Sequence, residues 1–178
     1  MSGYLTTFSG KCIDPLNIDP ALIDIEDIAH SLSRIVRYNG HQEHSYTVGM
    51  HSICCAMLIS DDALRLEALL HDAAEAYICD IPTPLKMMLP DYQQIEARME
   101  SALRKHFGLP ATMSEAVRLV DQHMLVAESN LLHPKLWEEL GYPASSKDAH
   151  TLITGCMHYG PRNTQSMFLG MAKEWGVQ

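Results

Sequence analysis

Aromatic residues are scarce in this chain. They make up 7% of its 178 residues, beside 11 Met, so the interior is expected to be aliphatic helix packing and not an aromatic-rich sheet core. Positive charge is also scarce: 13 Lys and Arg stand against 22 Asp and Glu, a formal net charge of -9. That deficit argues against a nucleic-acid duplex as partner, because backbone phosphates demand a basic surface. It leaves room for a small phosphate ligand held by a few local cations. No run of 18 apolar residues occurs, and the opening MSGYLTTFSGK has no apolar signal region. Neither a membrane span nor a secretion signal is therefore expected. Cys12, Cys54, Cys55, Cys79 and Cys156 form no Cys-x-x-Cys pair, and their number is odd. A reduced, cytoplasmic protein with buried thiols is expected, without a disulfide framework.

What is present is ordinary for a globular chain: 47% hydrophobic and 20% charged residues. The length suits a single domain over 1–178, with no repeat, low-complexity block or clear linker. Residues 1–23 carry TTFSGK and DPLNIDP, which read as an extended pair or loop with Asp-Pro turns. From Asp24 the pattern turns helical, with Ile25, Ile28, Leu32, Ile35 and Val36 at helical spacing and Asn39-Gly40 as the stop. Further helices are expected over about Ser45 to Ser60, and from an Asp61-Asp62 cap through His71 to about Ile78. Pro82 and Pro84 forbid continuation of the latter. Two more run from Asp91 to Phe107, stopped by Gly108 and Pro110, and from a Ser114 cap to about Leu132. The helical core is thus placed at about 24–132. The tail from His133 reads as loop-rich, with Pro134, Gly141-Tyr142-Pro143 and ASSKD, and ends in a helix over Thr164 to Trp175. The fold class is all-α.

Ten His are many for this length, and their placement carries the functional reading. His71 and Glu75 share a helix face with Leu64 and Ala68. A lone His on such a face is more often a satisfied core residue, but Asp72 beside it and Glu75 one turn on change that reading. Buried carboxylates need a cation or hydrogen bonds to compensate. His51 lies on a stripe with Val48, Cys55 and Leu58. His44, seven residues earlier and near the expected helix start, is a competitor for the same role. Asp121 falls beside Val117 and Met124, off the polar face of Glu115, Arg118, Gln122 and Ser129. Glu128 shares its stripe. Two imidazoles and two carboxylates from three helices make a mixed nitrogen and oxygen set for one divalent ion. Four protein ligands leave positions for water and a substrate oxygen, and a nearby carboxylate can take the water's proton. A structural zinc site would favour a closed, Cys-rich set instead.

The arrangement of His51, His71-Asp72 and Asp121 resembles the H…HD…D signature of the HD-domain phosphohydrolases. HDAAEAYICDIPTPLK is similar to the H-D-x-x-E-x-x-x-x-D-x-P-x-P-x-K run of the small bacterial and phage deoxynucleotidase branch. RYNGH…YTVGMHS resembles its upstream element, and SGK…DPLN…DIEDIAHSLSRIVRYNGH the amino-terminal portion of phage members. The resemblance spans roughly residues 8 to 130 and implies an HD-domain helical bundle. It implies His51, His71, Asp72 and Asp121 as ligands of one divalent ion, with Mn, Co, Zn and Mg all open. Glu75 matches the catalytic carboxylate and Asp80 a second active-site acid. Arg37 and Lys86 match basic residues near the substrate phosphates. Tyr38 stands where many relatives carry an aromatic residue, often Trp, against the sugar. The implied activity is hydrolysis of 2′-deoxynucleotides. A triphosphohydrolase of dATP type comes first, with a 5′-deoxynucleotidase and a non-catalytic nucleotide-binding module as alternatives. A homo-oligomer, dimer or larger, is also implied.

Overall fold

A computed structural model describes residues 3–133 and 145–177 of the chain. It begins with a two-stranded antiparallel hairpin, β1 (Leu5–Thr6) and β2 (Cys12–Ile13), turning through Gly10 at φ 85. The hairpin is fastened to α1 (Ile25–Leu32). The Ser9 N–H and hydroxyl donate to the Asp27 carboxylate at 2.7 and 2.8 Å. Lys11 pairs at 2.9 Å with Asp24, whose side chain caps α1. Asp27 is buried, and these two donors satisfy it.

The first helix stops at Leu32, short of the Asn39-Gly40 stop that the sequence pattern suggests. The Ser33 hydroxyl bonds back to the His30 carbonyl at 2.8 Å, and the Arg34 N–H closes onto Ser31, tightening the last turn. The chain then extends. The Arg37 N–H donates to the Tyr46 carbonyl and the Val48 N–H to the Ile35 carbonyl, both at 3.0 Å, around a bridge between Val36 and Thr47. β-Branched Ile35 and Val36 suit that extended path. Tyr38 and Asn39 follow at φ 55 and 51, a left-handed turn of two non-glycine residues. Arg37 and Tyr38 are thereby held against the start of the next helix.

That helix, α2 (Val48–Leu58), is the centre of the bundle. Thr47 caps it, and every residue from Val48 to Ala56 is buried. A helix apolar and buried on all sides must be enclosed by others. It packs against α3 (Arg65–Leu70), α7 (Glu115–Leu132), α8 (Lys147–Cys156) and α9 (Pro161–Glu174). The enclosing core includes Ile28, Leu32, Ile53, Leu69, Met99, Met124, Ile153 and Phe168. Short helices α4 (Glu75–Ile78) and α5 (Thr83–Lys86) lead into α6 (Pro90–His106). Glu67 on α3 pairs with Arg104 on α6 and accepts the Ser114 N–H at 2.8 Å, just where Ser114 caps α7. This buried junction fixes where α7 starts, and so where Asp121 and Glu128 lie.

The described residues are all-α apart from the hairpin. Three further expectations need correction. The helix expected to run from an Asp61-Asp62 cap to Ile78 is interrupted at 71–74. The tail read as loop-rich contains α8, capped by Ser146 with Asp148 in its first turn. The last helix starts at Pro161 and not at Thr164, because a first-turn proline loses no helical hydrogen bond. Pro134 and Gly141-Tyr142-Pro143 lie outside the described residues. Among the described residues no helix is long and apolar enough to cross a membrane.

Candidate metal centre and active site

The interruption after α3 is where the chemistry sits. At 71–76 the backbone bonds shorten by one residue: Ala73 N–H to Leu70, Glu75 to Asp72 and Ala76 to Ala73, at 3.1 to 3.2 Å. Such a stretch has about three residues per turn, so side chains three apart stack over one another. Asp72 and Glu75 therefore point the same way, toward a cleft. The chain leaves α4 through Cys79 at φ 69, ψ 159, a conformation foreign to most non-glycine residues. This sharp exit turns Asp80 back to the same cleft.

Four donor atoms converge at its floor. His51 Nε2 from α2 lies 3.2 Å from His71 Nε2, 3.1 Å from Asp121 Oδ1 and 3.6 Å from Asp72 Oδ2. His71 Nε2 lies 3.2 Å from Asp72 Oδ2 and 3.7 Å from Asp121 Oδ1. Ligands at about 2.1 Å from one ion stand about 3.0 Å apart in an octahedron and about 3.4 Å apart in a tetrahedron. The spacing fits a single divalent ion. The far nitrogens of both rings are tied down. His71 Nδ1 donates to the Ala68 carbonyl at 2.8 Å, and His51 Nδ1 meets Glu128 Oε1 at 2.5 Å. Each ring so anchored presents its Nε2 lone pair inward, as a metal-binding imidazole does. Cys55, one turn after His51, adds its thiol 3.5 Å from His51 Nε2 on the buried side. His51, Cys55, His71 and Asp121 form a cluster able to hold a metal.

Above this floor is a cavity of about 370 Å³, lined by Arg37, Tyr38, Asp72, Glu75, Asp80, Lys86 and Asp121 with Pro82 and Pro84. That volume is in the range of small-molecule sites. Every site residue expected from the sequence borders the cavity or its floor. His44 does not: α2 begins only at Val48, which leaves His44 exposed in the preceding loop. The two cations are already engaged. Arg37 lies 3.6 Å from Asp72 Oδ2 and 3.2 Å from Glu128 Oε2, and Lys86 Nζ pairs with Glu96 at 2.6 Å.

The electrostatics follow from this crowding. Burial opposes ionisation of Asp72 and Asp121, but the His71 and His51 rings hold both carboxyls well below their usual range. Burial and Arg37 oppose protonation of His51, yet Cys55, Glu128 and Asp121 raise it well above the usual imidazole value. Positive charge is thus favoured where a metal would sit. Glu75 has the reverse problem: burial, then the charges of Asp72 and Asp80, push its carboxyl up to about 9. Asp80 is raised too, mainly by burial.

Residues 29–131 match the HD domain family. The chain belongs to that family. It is 44% identical over 127 residues to an uncharacterised protein, YfdR, of Escherichia coli strain K12, covering 70% of each chain. It is 35% identical over 119 residues to an uncharacterised protein of Rhodobacter capsulatus, covering 62% of this chain and 61% of that one. HD domains are typically metal-dependent hydrolases, and the donor cluster agrees with that character. Sequence reasoning gave no role to Glu128 or Cys55. The signal was their spacing: Glu128 is two turns past Asp121 on one stripe, and Cys55 one turn past His51.

Proposed function

We propose that this HD domain is a metal-dependent phosphohydrolase of 2′-deoxynucleotides, with a deoxynucleoside triphosphate of dATP type as substrate. The observation that carries the reading is the pair of imidazoles anchored from behind, facing Asp72 and Asp121 at the floor of a cleft that also holds Arg37 and Lys86. In this reading His51, His71, Asp72 and Asp121 hold one divalent ion. Such an ion supplies polarisation of a phosphoryl oxygen and acidifies a water for attack. Arg37 and Lys86 neutralise phosphate charge, the main work of the protein in phosphoryl transfer. Both must share themselves between substrate and their present carboxylates. Glu75 orients the attacking water and takes its proton once nearby positive charge has lowered its carboxyl. Asp80 flanks the phosphorus from the chain leaving α4. Tyr38 stands beside the sugar.

A second reading, a 5′-deoxynucleotidase acting on monophosphates, is favoured by the small number of cations in the cleft. Arg37 and Lys86 face four lining carboxylates, Asp72, Glu75, Asp80 and Asp121, which suits a less charged substrate. A phosphate-release screen over all dNMPs and dNTPs with Mn²⁺, Co²⁺, Zn²⁺ and Mg²⁺ tests both readings. Tripolyphosphate or stepwise orthophosphate from dATP supports the first. Turnover confined to monophosphates replaces it with the second. No turnover with any pair leaves a nucleotide-binding regulatory module.

A further inference from the structure

Glu128 is fully buried in the C-terminal third of α7 and meets three groups at once. Its Oε1 lies 2.5 Å from His51 Nδ1, while its Oε2 accepts from Arg37 Nε at 3.2 Å and from the Tyr38 hydroxyl at 2.8 Å. We propose that Glu128 is a positioning residue that sets the tautomer of His51 for metal binding and, through its second oxygen, aims Arg37 and Tyr38 into the substrate cleft. The inference rests on the metal-dependent reading of the site.

The chemistry leaves the three partners little choice. Arg37 is only ever a donor, and a carboxylate only an acceptor. With Oε2 committed to Arg37 and Tyr38, Oε1 is free to accept the His51 Nδ1 proton. The Nε2 lone pair is then left facing His71, Asp72 and Asp121. A burial this complete is tolerable for a carboxylate only when donors surround it. The bridge between Val36 and Thr47 brings Arg37 and Tyr38 to the same carboxylate that holds α2's histidine. One side chain therefore ties the metal floor to the phosphate and sugar walls.

Glu128→Gln separates this role from mere packing, because it preserves shape. Its one carbonyl oxygen must serve Arg37, which has nothing else to offer but N–H. Its amide NH₂ must then face His51 Nδ1. His51 is forced to accept there and to carry its proton on Nε2, where it no longer binds metal. Loss of such a supporting carboxylate weakens metal binding about 10- to 100-fold.

The test is zinc titration by calorimetry on the full chain, with folding checked by circular dichroism. Glu128→Gln is expected to bind Zn²⁺ 10- to 100-fold more weakly than wild type, and Tyr38→Phe, which leaves the His51 contact in place, within about 3-fold of it. Should Glu128→Gln fail to fold, ¹⁵N-histidine NMR of the zinc-loaded wild type serves instead. The inference requires His51 to be protonated at Nδ1, with a strongly downfield proton, and ligated at Nε2. A folded Glu128→Gln chain with wild-type zinc affinity, or ligation through Nδ1, overturns it. Neither measurement uses a nucleotide, so failure to hydrolyse deoxynucleotides would leave this test standing.

Discussion

Replacing Glu75 by Gln should stabilise the metal-free protein at neutral pH and abolish its activity. Glu75 is 7% exposed, and its Oε2 atom has no hydrogen-bond partner among the described residues. Its carboxyl is pushed up to about 9 by burial and by the charges of Asp72 and Asp80. The sign follows from proton counting. Between its ordinary value of 4.5 and about 9, the folded chain keeps a proton that the unfolded chain has released. Stability is therefore fully present below 4.5 and is lost as the pH rises toward 9. Gln mimics the protonated carboxyl in the folded state but cannot ionise in the unfolded one. At about 1.4 kcal/mol per pH unit, the variant gains about 3 kcal/mol at pH 7 and less than about 1 kcal/mol at pH 5. For a chain of this size that is a rise of about 6 to 12 °C in Tm at pH 7. The assay is thermal unfolding of both metal-free proteins at pH 5, 6, 7 and 8. Curves that run parallel across that range refute the reasoning, because they mean Glu75 is ionised when folded. Turnover should fall by at least about 100-fold, the usual loss when a positioned base is removed.

Asp72→Ala and His51→Ala should each abolish metal binding and turnover, while His44→Ala keeps most of both; calorimetry and a phosphate assay decide, and a dead His44→Ala would reassign the first ligand. Cys55→Ala should retain metal binding, since Asp72 completes the donor set from the cleft side; loss of Zn²⁺ affinity beyond 10-fold would bring the thiol into that set. Cys79→Gly should raise stability by about 1 kcal/mol in urea unfolding, because Cys79 sits at φ 69, where glycine carries no steric penalty; a lower midpoint would mean the thiol contributes more than the strain costs.

The readable parts of this chain are those whose cause is local. Periodicity and caps marked most of the helices, and Ser114 caps α7 as its position suggested. The errors arise where a tertiary contact outweighs a local pattern. Ile35 and Val36 continue an apolar helical spacing, but the pairing of Val36 with Thr47 draws them into an extended segment. His71 to Ala74 carry no proline or glycine to announce a break, and Ala is the best helix former, so only the packing around the site explains the tightened turn. At the site, His51, His71, Glu75 and Asp121 were visible as polar groups on or beside apolar helix faces, whereas Arg37, Tyr38, Asp80 and Lys86 were found only through the family resemblance. Glu128 was visible in the same way. Its partners were not, because Arg37 and His51 lie 91 and 77 residues away in sequence.

The tips of the HD pair meet although its members are adjacent in the chain. Adjacent residues diverge by about 100° in a regular helix and by about 120° in a three-residue turn, so His71 and Asp72 leave the backbone on different sides. Their side chains reach back toward one another: His71 Nε2 and Asp72 Oδ2 lie 3.2 Å apart while His71 Nδ1 holds the Ala68 carbonyl of α3. Asp72 remains partly open to the cleft, its side chain 22% exposed, whereas His51 is fully buried. The centre therefore has a dry side of imidazoles anchored in the core and a wet side of carboxylates. A divalent ion seated between them would be fixed from behind and reachable from the front, where Arg37, Asp80 and Lys86 stand. The crowded acids of the wet side would repel an anionic ligand until such an ion offset them, so the geometry that would hold the ion would also make binding of an anionic ligand depend on it.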